Sequence, residues 1–116
     1  MTVAFKVHKH VRTAIVIGAA ETVGDFTLAW RGFFTNFLCE LPNYTNAITG
    51  ALSVLNAEAT PVEVWAAAGM AKNAQTNLIV DPWTACPING LYTIRLTLSG
   101  VPGGAGGTAY ITPYSL

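Results

Sequence analysis

The stretch Gly90-Leu91-Tyr92-Thr93-Ile94-Arg95-Leu96-Thr97-Leu98-Ser99 alternates apolar and polar side chains along most of its length. Because successive side chains of a strand point to opposite faces of a sheet, this period of two predicts a half-buried β-strand. Asn89-Gly90, at the start of the stretch, is a strong turn signal. The apolar members are expected to face a core: Tyr92, Ile94, Leu96 and Leu98. Their polar neighbours are expected to face outward: Thr93, Arg95, Thr97 and Ser99.

The same period recurs along the rest of the chain. It predicts seven further strands, at residues 12–17, 26–30, 33–41, 48–55, 62–66, 77–80 and 108–114. Short strands at this spacing, separated by turn residues, predict an all-β fold. We expect residues 1–116 to form a single antiparallel β-sandwich or jelly-roll-like domain with an extended N-terminal segment. Residues 66–72 contain good helix formers but are interrupted by Gly69, so we expect a connection with at most one helical turn there.

The chain is poor in charge for its size. Charged residues make up 10% of its 116 positions, against about 25% in an ordinary soluble domain, and its formal net charge is zero. Hydrophobic residues make up 52%. The buried centre of a permanent interface has this composition, so we expect neighbouring subunits to cover part of the exterior. The alternative is a compact sandwich whose surface is rich in Thr, Ser and Asn.

The two cysteines and the N-terminus bear on the compartment. Cys39 lies in an apolar run, where a reduced, packed thiol is expected, and two cysteines are too few for a disulfide framework. The apolar stretch 14–20 is too short to span a membrane, and nothing resembles a targeting segment. These features favour an intracellular origin.

The glycine-rich segment 100–107 invites comparison with phosphate-binding loops. Such loops end in Lys-Ser/Thr and lead into a helix, whereas residues 108–112 continue as a predicted strand. We therefore expect a long hairpin connection. The carboxylates Glu21, Asp25, Glu58 and Asp81 are scattered over predicted loops, and no nucleophile motif is present. The sequence predicts neither an enzyme nor a cofactor site.

The N-terminal run contains the only local concentration of charge. In an extended chain, one face would carry Lys6, His8, His10 and Arg12. A stable metal site needs more ligands than the two histidines, and no basic patch interleaved with aromatics recurs to indicate a nucleic-acid reader. Residues 1–9 are expected to be either a solvated strand face or an N-terminal arm that lies on an acidic neighbour or near packaged nucleic acid.

The ending from Gly90 to Leu116, two predicted strands joined by the glycine-rich segment, resembles small β-sandwich structural proteins of tailed bacteriophage virions. Residues 52–69 are compatible with a preceding hairpin of such a protein. The resemblance implies a capsid decoration or cement subunit, or a connector or tail subunit, without chemistry of its own. It implies other virion proteins as partners, a homo-oligomeric assembly, no membrane, and a location in the virion after assembly in the host cytoplasm.

A second class of function stays open. A sandwich domain could bind sugars of a cell surface by stacking them on exposed aromatic side chains, among which Trp83, in a predicted loop, is the best candidate. Trp30 and Trp65 lie in apolar strands, where core or interface positions are more common. The candidate interface residues are Lys6, His8, His10, Arg12, Trp83 and Tyr114.

Overall fold

The computed structural model describes residues 7–56, 59–80 and 90–116. This part of the chain consists of β-strands joined by turns and loops. The strands are β1 (His8–Lys9), β2 (Thr13–Ile17), β3 (Val23–Trp30), β4 (Phe34–Leu41), β5 (Thr49–Asn56), β6 (Glu63–Ala71), β7 (Ala74–Ile79), β8 (Gly90–Leu98) and β9 (Gly107–Ser115). No helix long and apolar enough to cross a bilayer occurs among the described residues.

Two antiparallel sheets pack face to face. In sheet A, β9 lies between β4 and the pair β1 and β2, and β7 flanks β4. In sheet B the order is β3-β8-β5-β6. From β2 to β5 the chain changes sheet at every step, and the rows β2-β9-β4-β7 and β3-β8-β5-β6 together have the strand order of a jelly roll. The predicted antiparallel sandwich is confirmed.

The core lies between the sheets. Its members on β8 are those that the alternation predicts: Tyr92, Ile94, Leu96 and Leu98 are all at most 3% exposed. Sheet A contributes Ile15, Phe37, Cys39 and Ile111 to the same cluster. The thiol of Cys39 is free, as expected, and burial raises its pKa to about 12.

The expected connection at residues 66–72 is wrong, because β6 continues as a strand to Ala71. Across from β6, Gly50 pairs with Met70 and Leu52 with Ala67, so Ala68 and Gly69 together face the single residue between them on β5. This is a β-bulge, in which Gly69 has a φ of +80°. The glycine that disfavours a helix is thus used to bend a strand.

The expected hairpin at residues 100–107 is also wrong. β8 belongs to sheet B and β9 to sheet A, so the glycine-rich segment crosses between the sheets instead of joining paired strands. Gly103, Gly104 and Gly106 have positive φ, and a side chain on Gly106 would collide with the carbonyl of Ile17. Close packing therefore requires glycine at position 106.

The N-terminal edge of sheet A contains an irregularity that determines where its side chains go. Lys9 pairs with Tyr114, and Thr13 pairs with Ile111. Three residues, 10–12, therefore lie opposite two residues of β9. This extra residue changes which face of the sheet the following side chains occupy.

Candidate interaction surface

The two histidines lie at one end of the sandwich, against Trp30. The His10 ring is 4.3 Å from the Trp30 ring, edge to face, and the His8 ring is 5.5 Å from it. His10 Nε2 is 2.8 Å from Oγ of Ser115, which is fully buried. Burial lowers the pKa of His10, and the neighbouring His8 lowers it further. These histidines therefore help to close the end of the core.

Arg12 lies on the other side of sheet A. Its Nε and Nη2 each donate a hydrogen bond of 2.9 Å to the carboxylate of Glu40, and its guanidinium lies 3.6 Å from the ring centre of Tyr110. The bond to Glu40 raises the pKa of Arg12, and the same bond lowers the pKa of Glu40. A bidentate pair stacked on an aromatic ring fixes the arginine in one place.

The predicted common face of the basic run is therefore wrong for Arg12. His10 reaches Ser115 on the core side of β9, whereas Arg12 reaches Tyr110 on the outer side. The irregularity at residues 10–12 separates them, because one extra residue reverses the alternation. Lys6 lies outside the described residues.

Tyr114, the remaining described candidate, belongs to a group of outward-facing side chains on sheet A that we call the apolar patch. Its members lie near the end of the sandwich that holds Trp30: Val7, Phe33, Ile79, Tyr114 and Leu116. Ile79 is 70% exposed, Val7 51%, Phe33 42% and Leu116 39%, while Tyr114 is half-buried. Exposed apolar groups that cluster in this way mark interaction sites more often than scattered ones do.

Strand pairing places the members of the apolar patch beside one another or on either side of Asn36. The amide of Leu116 donates a 2.8 Å hydrogen bond to the carbonyl of Phe33. His8 pairs with Ser115, so Val7, one residue before His8, lies beside Leu116, one residue after Ser115. Asn36 pairs with Tyr114 on one side and Ile79 on the other, so these two side chains flank it on the same face.

The border of the apolar patch is basic. Lys9 lies directly across from Tyr114, and Arg31 is exposed in the turn that precedes Phe33. The nearby carboxylate of Glu40 is already engaged by Arg12. A surface that binds here is therefore favoured if it carries acidic groups around an apolar centre.

The outer face of sheet B differs in character. On β3 and β8 its charged side chains are Asp25 and Arg95, which pair with each other at 3.3 Å. Asp25 was expected in a loop, but it lies within β3. The other outward side chains of these two strands are Val23, Thr27, Ala29, Leu91, Thr93 and Thr97. This face carries little charge and few large side chains.

Two of the tryptophans pack inward. Trp65 stacks on the buried ring of Phe37 with ring centres 5.3 Å apart. Trp30 makes edge-to-face contacts with the rings of His8 and His10. Trp83 lies outside the described residues. The stacking platform that a sugar-binding site would need is therefore not formed by Trp30 and Trp65.

Sequence reasoning identified Tyr114 but not the rest of the apolar patch. Ile79 ends β7, and Val7, Phe33 and Leu116 adjoin the ends of other strands. Their common exposure on one face depends on which strands become neighbours. The alternation of side chains along β9 predicts part of the apolar patch. If Ile111 faces the core, then Tyr110, Tyr114 and Leu116 face outward.

Three of the described carboxylates form hydrogen bonds or ion pairs within the subunit. Glu21 accepts a 3.0 Å hydrogen bond from the amide of Gly18 in the turn before β3, Asp25 pairs with Arg95, and Glu40 pairs with Arg12. Within the three described segments, no group of three or more His, Cys, Asp or Glu side chains is close enough together to hold a metal ion. No family model matches the sequence, and a search of curated proteins found no match.

Proposed function

We propose that the protein is a non-enzymatic structural subunit of a virion, and specifically a capsid decoration or cement subunit that stabilises the particle by burying surface between neighbours. The observation that carries the proposal is the apolar patch, which exposes Ile79, Val7, Phe33 and Leu116 on one face of a charge-poor chain. A subunit that stays in an assembly can keep such a surface, since its neighbours cover it.

The resemblance of residues 90–116 to bacteriophage structural proteins gives the proposal its location in the virion. The jelly-roll order of the strands is compatible with it, because that architecture occurs in viral capsid proteins as well as in lectins. Fold alone does not decide function, so the apolar patch and not the fold supports the proposed role.

The basic residues that border the apolar patch indicate the charge of the surface that would bind it. Lys9 and Arg31 flank the apolar patch, so a matching surface on a major capsid protein would place acidic side chains around an apolar centre. Placement in the connector or the tail is the alternative within the same class, and it needs the same kind of contact.

Particles purified on a density gradient from cells that carry the gene provide the test. Mass spectrometry should find this chain in the particles in many copies, and electron cryo-microscopy should show whether it decorates the capsid or belongs to the connector or tail. If the chain is absent from purified particles, the proposal is wrong.

A pair of variants tests the surface. Phe33→Glu adds a charge in the apolar patch and should strongly reduce incorporation into particles. Val16→Glu is the matched control, since Val16 is 71% exposed on the same sheet but lies near the opposite end, paired with Thr108. Equal incorporation of the two variants would show that the apolar patch is not the contact.

A further inference from the structure

The four edges of the two sheets differ in how they are protected against pairing with another chain. An unprotected edge presents free backbone groups, and natural proteins block such edges with charges, prolines or bulges. The edge formed by β1 and β2 has the irregularity at residues 10–12 and carries Lys9. The β3 edge carries Asp25, and β6 has two irregularities in its pairing with β5.

Strand β7 has none of these features. Its sequence, Ala74-Gln75-Thr76-Asn77-Leu78-Ile79, contains no charge, no proline and no glycine, and its pairing with β4 is regular from end to end. Among the described residues, β4 is the only strand that pairs with β7. The outer edge of β7 is thus a regular, uncharged template for a further strand.

The backbone groups available on this edge follow from the pairing with β4. The amide of Val80 donates a 2.9 Å hydrogen bond to the carbonyl of Thr35, so Val80 points toward β4. Directions alternate along a strand, and every second residue before Val80 therefore also points toward β4. The amides and carbonyls that point away from the sheet belong to Gln75, Asn77 and Ile79.

We propose that two copies of this protein pair through β7, antiparallel and across a two-fold axis at Asn77, so that the two A sheets join into one. In this register Asn77 lies opposite Asn77 of the other copy, and Gln75 lies opposite its Ile79. All three outward-pointing residues then form hydrogen-bonded pairs, and paired side chains share one face of the joined sheet, as the pleat requires.

The side chain of Asn77 is held in place by a hydrogen bond from β4. Thr35 Oγ1 donates to Asn36 Oδ1 at 2.8 Å, and Asn36 Nδ2 donates to Asn77 Oδ1 at 2.8 Å. The amide nitrogen of Asn77 retains its donors, while an amide oxygen can accept a second bond. The Asn77 amide nitrogen can therefore donate to an acceptor of the second copy.

A second copy fits this edge better than a charged partner does. A two-fold pairing places each side chain beside its own symmetry mate or that of a near neighbour, so any charge on the strand would repel itself. β7 carries no charge. The exposed Ile79 also gains cover from the partner's Gln75. Six residues span about 20 Å, so the contact is expected to be smaller than a standard interface and the association concentration-dependent.

The test compares Asn77→Lys with Thr27→Lys by sedimentation equilibrium of the full chain up to about 1 mM, where even a millimolar dissociation constant is measurable. Asn77→Lys places two like charges at the two-fold axis and should shift the dimer dissociation constant at least about tenfold upward. Thr27 is an exposed outward residue of the β3 edge, and Thr27→Lys should leave dimerisation unchanged.

Amide hydrogen exchange supplies a residue-level readout. With rising protein concentration, the amides of Gln75, Asn77 and Ile79 should become protected, while those of the β3 edge should not. A chain that stays monomeric throughout the concentration range, or a dimer that Asn77→Lys does not weaken, overturns the proposal. The pairing rests on the proposed role as an assembly subunit but fails separately from it. If Asn77→Lys leaves association unchanged, the β7 pairing is wrong, while copies can still associate through the apolar patch and the chain can still be found in purified particles.

Discussion

Leu96 and Thr97 are neighbours in β8, but they differ in what surrounds them. Leu96 is fully buried between the sheets, whereas Thr97 faces solvent on sheet B. We expect Leu96→Ala to lower the free energy of unfolding by about 2–5 kcal/mol, because it removes buried methyl groups and leaves a cavity. Thr97→Ala should change it by less than about 0.5 kcal/mol. Urea denaturation of both variants measures the difference, and equal losses would contradict the register of β8.

His10 makes stability depend on pH. Its pKa in the folded protein lies below the ordinary value of 6.5, chiefly because it is partly buried. The unfolded chain therefore binds a proton more readily, so the stabilisation is present above about pH 6.5 and is lost as the pH falls through the folded pKa. The melting temperature of the wild type should fall more between about pH 7 and pH 5 than that of His10→Gln. Identical pH profiles would show that His10 does not carry this effect.

At the scale of elements, the bulge and the crossing between sheets use glycine in different ways. Gly69 and Gly106 both have positive φ, but a side chain at 69 would meet open space, whereas one at 106 would meet the Ile17 carbonyl. Gly69→Ala should cost only the strain of positive φ, about 1–2 kcal/mol. Gly106→Ala should cost more, because the clash is added to that strain. Chemical denaturation distinguishes the two, and a larger loss at Gly69 would be inconsistent with this packing.

Each of the eight strands predicted from the sequence overlaps an observed strand. The strands could be predicted because the alternation of apolar and polar residues is a local property of the sequence. Tyr92, Ile94, Leu96 and Leu98, for example, must share a face wherever β8 lies in the fold. Two predictions failed where the outcome depends on distant residues. β6 extends through Ala71 because β5 supplies its partners, and the glycine-rich segment crosses between sheets because β9 pairs with β2 and β4 instead of β8.

The candidate surface was harder to predict for the same reason. Arg12 was expected beside the histidines, but a bulge that no local pattern reveals placed it with Glu40 and Tyr110. Tyr114 could be assigned to the outer face from the alternation of β9. Its neighbours in the apolar patch come from β7 and from segments beside β1 and β4, and they meet only in the finished sheet.

At the scale of the whole molecule, the surface is close to neutral and uneven. The chain has six acidic and six basic residues, and its calculated isoelectric point is about 6.7. Two of the possible ion pairs are formed within the subunit, Arg12 with Glu40 and Arg95 with Asp25. Little charge therefore remains to keep copies apart in solution, while the apolar patch and the β7 edge favour contact.

The central claim is that this surface is made to be covered by other subunits. Sedimentation velocity of the isolated chain at low salt and near-neutral pH, at about 30 μM, well above the nanomolar dissociation constants of stable complexes, tests it most directly. The claim predicts species heavier than the 12.2 kDa monomer, increasing with concentration. A single sharp boundary at 12.2 kDa, unchanged by concentration, would contradict it.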